Sequence, residues 1–138
     1  MTIVIGGLFT HSQTMKREIN ARHFQSKKDG YIHIIEIIVL LMMKEAFGEK
    51  PNEDQLMKKM IEFKKNLIIW GSRDVIKAWE EYEIDSQNSK DTTASILMLD
   101  SVLKEIRKDL GHSDHNMKAG SLVSVFLDTD GKRDILRK

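Results

Sequence analysis

The stretch Leu56-Met57-Lys58-Lys59-Met60-Ile61-Glu62-Phe63-Lys64-Lys65-Asn66-Leu67-Ile68-Ile69-Trp70 decides the fold class. Leu56, Met60, Phe63, Leu67 and Trp70 recur at steps of four and three. That spacing puts them on one face of an amphipathic helix. Lys58, Lys59, Lys64 and Lys65 fall off the stripe. The rhythm returns in Ile96, Leu99, Leu103, Ile106 and Leu110, and Met98 and Val102 widen that second stripe.

Local signals frame these two helices. Pro51-Asn52 opens the first; Asn52 with Gln55 three residues on resembles a capping box, and Glu53 and Asp54 suit the positive end of the helix dipole. Gly71 ends it, and Ser72 caps a further helix with Asp74 in its first turn and Val75, Trp79 and Tyr82 facing inward. Trp70 and Trp79 are read as core residues ahead of ligand platforms, and the eight Met residues, mostly on helix faces, as core filling ahead of a pliable partner-binding groove. Glu80, Glu81, Glu83 and Asp85 make the far end acidic, and residues 85–93 read as a polar loop. Gly111 is a natural helix stop. Residues 112–118 are polar, and Leu122–Leu127 reads as a short closing helix.

Upstream, Tyr31–Met43 is the most apolar run, interrupted only by His33 and Glu36. Its Ile and Val content favours strand, but its length and the three-residue spacing of its polar positions favour helix. It is expected as a central helix buried nearly all round, with Gly48 as its stop and Asp29-Gly30 as a break before it. Residues 11–27 are polar, with only Met15, Ile19 and Phe24 apolar, which reads as a solvated helical stalk or a weakly docked helix. The expected fold is all-α: a compact four- to five-helix bundle over 29–127, with an N-terminal helical stalk over 1–28 and a frayed polar tail over 128–138.

Composition narrows the function. The 138 residues fit one domain able to bury a core. With no cysteine, a disulfide framework, thiolate metal site and Cys nucleophile are excluded. The net charge of +1 gives no whole-chain argument for nucleic acid or an anionic membrane. Its distribution is uneven. Residues 1–28 hold five basic side chains against one acidic, residues 29–103 nine against fourteen, and residues 104–138 eight against six. The basic start follows an apolar stub, Ile3–Phe9, too short to span a bilayer and lacking the features of a signal peptide. The stub reads either as an element docked on the core or as the end of a membrane span. Basic residues after a span mark the cytoplasmic side.

Few motifs carry chemistry. His112-Ser113-Asp114-His115 offers two potential metal ligands with no third pointing to the same place, and it reads as exposed loop. Asp128-Thr129-Asp130-Gly131 resembles the start of a calcium loop, but Gly131 and Lys132 fall at the wrong positions. Gly6-Gly7 lacks the Lys-Ser/Thr of a phosphate loop, and no serine has a nucleophile-elbow context. Glu36 is the carboxylate most exposed to perturbation, read chiefly as a helix-edge residue paired with a Lys or His33.

Arg107-Lys108-Asp109-Leu110-Gly111-His112 resembles the Arg-x4–6-His signature of the HEPN superfamily, which includes metal-independent ribonucleases. That resemblance would make Arg107 a phosphate or transition-state stabiliser and His112 the acid/base acting at the ribose 2′-hydroxyl. Lys108 stands where that family usually has a polar residue, and Asp114 where it often has Tyr. A second resemblance covers roughly residues 10–127. Leu67–Trp79, with Trp70-Gly71-Ser72 and Val75-Ile76-Lys77-Ala78-Trp79, followed by Ile106–Gly111, is similar to uncharacterised bacterial proteins. In these a transmembrane segment precedes a helical cytoplasmic domain. It implies a cytoplasmic location and a tether through residues upstream of Thr10.

These readings favour a non-catalytic interaction or sensing domain without cofactor or metal, with the ribonuclease as the alternative. The surfaces they single out are the basic stalk (Lys16, Arg17, Arg22) and the acidic end (Glu80, Glu81, Glu83). An unidentified protein partner or a second copy of the chain is expected there. Nucleic acid is expected only under the alternative, because basic residues are scattered and aromatics read as buried.

Overall fold

The computed structural model describes the backbone of residues 2–48, 50, 52–88 and 90–137, and, in the first helix, the side chains of residues 12–42. Five α-helices and a 3-10 turn follow in order: α1 (Thr2–Phe47), α2 (Glu53–Trp70), α3 (Arg73–Asn88), α4 (Thr92–Asp109), the turn Val123–Phe126, and α5 (Thr129–Leu136). The all-α helical bundle is as the apolar periodicity predicts.

The helices pack as two hairpins, α1 on α2 and α3 on α4. The first is antiparallel: His23 meets Trp70, Gly30 meets Asn66, and Glu36 meets Lys59. Phe63, Val75 and Val102 lie at the centre with no exposed surface. Trp79 meets the Phe63 ring edge-on at 4.9 Å, an arrangement that aromatic quadrupoles favour.

The expected caps form where described. Asn52 accepts from the Gln55 N–H at 3.2 Å, and Ser72 Oγ accepts from the Val75 N–H at 3.2 Å. Pro51 lies outside the described residues.

Four expectations are corrected. The helix does not break at Asp29-Gly30; α1 runs through it. Gly30 is instead a contact residue, because a Cβ there would sit 2.5 Å from Asn66 Cβ. Its missing side chain lets α1 and α2 approach closely. The Tyr31–Met43 run is not buried all round: Tyr31, Ile34, Ile37 and Ile38 are buried, whereas Ile32, Val39 and Leu41 are exposed. The polar loop after α3 is shorter than 85–93, since α3 continues to Asn88 and Asp91 accepts from the Thr93 and Ala94 N–H groups at the start of α4. The tail is not frayed. Asp128 accepts from the Gly131 N–H at 2.8 Å and starts α5, whose Ile135 is only 4% exposed. The calcium-loop likeness is thus a helix cap.

Asp100 was not singled out by its sequence context and is 1% exposed. Its carboxylate accepts three backbone N–H groups, from Gly120 (2.9 Å), Leu122 (2.9 Å) and Val123 (3.0 Å). A buried charge satisfied in this way holds the segment after α4 against that helix. No helix among the described residues is long and apolar enough to cross a membrane. The side chains of the Ile3–Phe9 stub lie outside the described residues.

In an exposed helix interior, Gly→Ala gains about 1 kcal/mol. Gly30→Ala is expected to do the reverse and lower the thermal midpoint, because the new methyl forces α1 off Asn66. A raised midpoint by calorimetry would refute the close-approach assignment.

Candidate functional site

One end of the bundle is joined by the Tyr31 hydroxyl. It donates to Asp109 Oδ2 at 2.6 Å and accepts from the Ser72 N–H at 3.3 Å. Lys27 completes the group, with Nζ 2.9 Å from Asp109 Oδ1. Lys108 reaches Asp74 at 3.3 Å beside it, and the His23 ring lies 5.2 Å from that of Trp70. The Trp70-Gly71-Ser72 and Ile106–Gly111 blocks therefore meet at one place, bridged by α1. Burial and the Asp109 carboxylate push the Tyr31 phenol well above its ordinary range.

Arg107 and His112 are brought together by backbone geometry. Gly111 has φ of 97°, a conformation that favours glycine. It allows the Gly111 N–H to reach the Lys108 carbonyl (3.0 Å) and the His112 N–H to reach the Arg107 carbonyl (2.9 Å). This pair of bonds is the Schellman closure of a helix C-terminus. The Arg-x4-His spacing thus coincides with a helix stop. The Arg107 guanidinium is engaged on the protein itself: Nε donates to Asp114 Oδ2 at 2.5 Å and Nη2 to Oδ1 at 3.2 Å. This pairing raises the guanidinium's proton affinity further and holds the Asp114 carboxyl below the usual range.

Both side chains border an apolar groove of about 300 Å³ between the hairpins. Its walls come from Ile32 and Ile35 of α1, Leu103 and Ile106 of α4, and Val125 and Phe126 of the 3-10 turn. Lys28 of α1, Arg107 of α4 and His112 just after α4 also belong to its lining.

The remaining candidates separate. Lys16, Arg17 and Arg22 are exposed on α1 and make no ion pair among the described residues. Glu80 and Glu81 are exposed on α3, and Glu83 pairs with Lys64 of α2 at 3.0 Å. Glu36 pairs with Lys59, and that contact holds its carboxyl below the usual range. His33 Nδ1 approaches Glu36 only to 3.8 Å and has no hydrogen-bond partner. His115 meets Ser113 Oγ at 2.9 Å, and it borders a second, polar hollow together with His112 and Asp114. No three His, Asp or Glu side chains among the described residues gather within reach of one metal ion.

Two titrations test this geometry. Tyr82 is pushed up by burial as Tyr31 is, and these are the chain's two tyrosines. The midpoint of the tyrosinate absorbance band is expected to lie above that of a free tyrosine. The sign follows from linkage: with the folded value raised, Tyr31 stabilises the fold below the unfolded value and loses that contribution as pH climbs through the folded one. A normal midpoint would break the Tyr31–Asp109 assignment. For Asp114 the sign is opposite. Its folded value is depressed, so pairing with Arg107 stabilises above the ordinary Asp range and fades as pH falls through the lowered value. Carboxyl carbon NMR should place the Asp114 midpoint below that of an exposed Asp, and Arg107→Gln should return it.

Comparison with protein families, curated proteins and solved structures finds no match to this chain.

Proposed function

We propose that this chain is a non-catalytic protein-interaction domain whose partner surface is the α2–α3 face, and that a basic amphipathic helix, the α1 stalk of a second copy, occupies it. The observation that carries this reading is a second apolar stripe on α2. Leu56, Met60, Phe63 and Leu67 pack against the core. Met57 (63% exposed), Ile61 and Ile68 (81% exposed) recur at i, i+4 and i+11 on another face. A helix that already buries one stripe gains nothing within this chain from the second, and contiguous exposed apolar surface commonly marks an interaction site.

Charge complementarity selects the occupant. Ile76, Glu80 and Glu83 of α3 lie beside the Ile68 end of the stripe, where Lys64 of α2 engages Glu83 and leaves Glu80 exposed. The stalk offers exposed Met15 and Ile19 one turn apart, set among Lys16, Arg17 and Arg22. Residues 2–22 of the helical stalk span about 30 Å and the 18 residues of α2 about 27 Å, so one can lie along the other. Reciprocal docking makes a closed two-fold dimer, the commonest symmetric assembly. The closure at Gly111, which returns the His112 N–H to the Arg107 carbonyl, accounts for the Arg-x4-His spacing without a catalytic demand and so favours the non-catalytic reading.

Sedimentation velocity on the full chain tests the proposal. A dimer is expected at about 0.1 M salt and weaker association at about 1 M, where exposed charges are screened. Ile61→Asp with Ile68→Asp should give monomers with unchanged helical circular dichroism. Reversing Lys16 and Arg17 to Glu should do likewise, and adding Glu80→Lys and Glu81→Lys should restore dimers. A wild-type monomer at every concentration overturns the self-docking reading.

A further inference from the structure

The groove between the hairpins is separate from the α2–α3 face and has chemistry of its own. We propose that it binds a medium-chain fatty acid, with the alkyl chain along Ile35, Leu103 and Ile106 and the carboxylate at Lys28, Arg107 and His112.

Three observations lead there. The first is the shape of the opening. The helices α1 and α4 are held together at one end by Lys27, Tyr31 and Asp109, while their closest pairings lie within their own hairpins. The space left beside that clasp is about 300 Å³, at the small end of ligand-sized cavities, and it lies between helices of a bundle, where such sites recur.

The second is the lining. Ile32 is 47% exposed and Val125 73%, although each stands beside buried apolar neighbours, Tyr31 and Val123. Apolar walls left open to water gain from any chain that covers them.

The third is the rim. Lys28 makes no ion pair among the described residues. Arg107 commits Nε and Nη2 to Asp114, which fixes the guanidinium plane at the groove edge. A guanidinium has five donors, so this pairing leaves others for a second anion. His112 borders the same edge, and no acidic side chain lines the groove. An apolar trough with cations at its rim and no carboxylate complements a molecule with an apolar body and one anionic end. A neutral alcohol of equal length would leave the Lys28 charge unanswered. A polar anion such as acetate would leave the trough uncovered.

Decanoate, decanol and acetate are the probes, titrated below micelle-forming concentrations into the full chain and read by calorimetry and by isoleucine methyl NMR. Decanoate is expected to bind saturably, at least about tenfold more tightly than decanol, because hydrogen bonds to charged groups contribute that much or more. Methyl shifts should appear at Ile32, Ile35 and Ile106 and be absent at Ile61 and Ile68. Lys28→Gln, at an exposed position, should weaken decanoate binding several-fold and leave decanol binding unchanged. Val125→Asp places a carboxylate at the exposed rim and should remove decanoate binding while leaving decanol measurable. Equal binding of decanoate and decanol by the wild-type chain overturns the proposal, as does saturable binding with shifts at Ile61 and Ile68. Acetate binding as tightly as decanoate, or no saturable binding at all, overturns it too. A decyl phosphate arm separates sources of the anion: tighter binding than decanoate would replace the fatty acid with an alkyl phosphate. Dimer formation is scored in the same samples by sedimentation, so the groove and the α2–α3 face can fail independently.

Discussion

The Tyr31 hydroxyl carries the constraint on which the arrangement of the two hairpins depends. It sits on α1, donates to Asp109 at the end of α4, and accepts from the backbone of Ser72, where α2 passes into α3. One oxygen therefore touches both hairpins and the joint between them. Neither neighbouring group is easily satisfied another way. Asp109 has only 11% side-chain exposure, and leaving its charge without partners would cost far more than the bond returns. Lys27 shares the carboxylate, so the clasp is a small network, not a single contact. The Phe63–Trp79 core supplies apolar burial, but that attraction is non-directional; the phenol sets where α1 lies along α4.

This dependence explains which features are legible in the sequence. The stripes of α2 and α4 are set by local periodicity, and so they can be read directly. The caps at Asn52 and Ser72 and the stop at Gly111 involve atoms no more than five residues apart, and they read equally well. Gly30 is different. Its local context says turn, and its reason for being glycine lies on another helix, at Asn66. Asp100 likewise looks like one more polar residue on α4 until the N–H groups of Gly120, Leu122 and Val123 arrive from twenty or more residues away. The tail is hard to read for a related reason: Ile135 and Leu136 are a short apolar pair in a polar stretch, and the burial of Ile135 in the fold is what accounts for α5.

The Arg107–His112 pattern shows how a short motif acquires a second explanation. A basic last turn suits the negative end of α4, a left-handed residue closes the helix, and the next N–H returns to the carbonyl of Arg107. Arg, Gly and His at those positions need no catalytic demand to occur together. The same closure nevertheless has a chemical consequence. It delivers the Arg107 side chain and the His112 ring to one edge of a groove, and Asp114 then fixes the guanidinium there. Spacing alone identifies the helix end but says nothing about this edge, because the facing wall belongs to α1, some seventy residues earlier.

Two groups of exposed apolar residues differ in setting, and the difference decides what each can hold. On α2 the stripe of Met57, Ile61 and Ile68 is the convex outer face of a helix, with Glu80 and Glu83 of α3 beside its Ile68 end. A convex strip can be covered only by another extended surface, and the acidic side chains beside it favour a basic one. Between α1, α4 and the 3-10 turn the apolar residues are concave and edged by cations. A trough of about 300 Å³ is too small for a helix, whose diameter with side chains is about 10–12 Å, but it suits a narrow chain. Charge sign and curvature thus separate two surfaces of similar hydrophobicity. Tyr31 belongs to both features of this end of the bundle, since it clasps α1 to α4 and lines the trough beside that clasp.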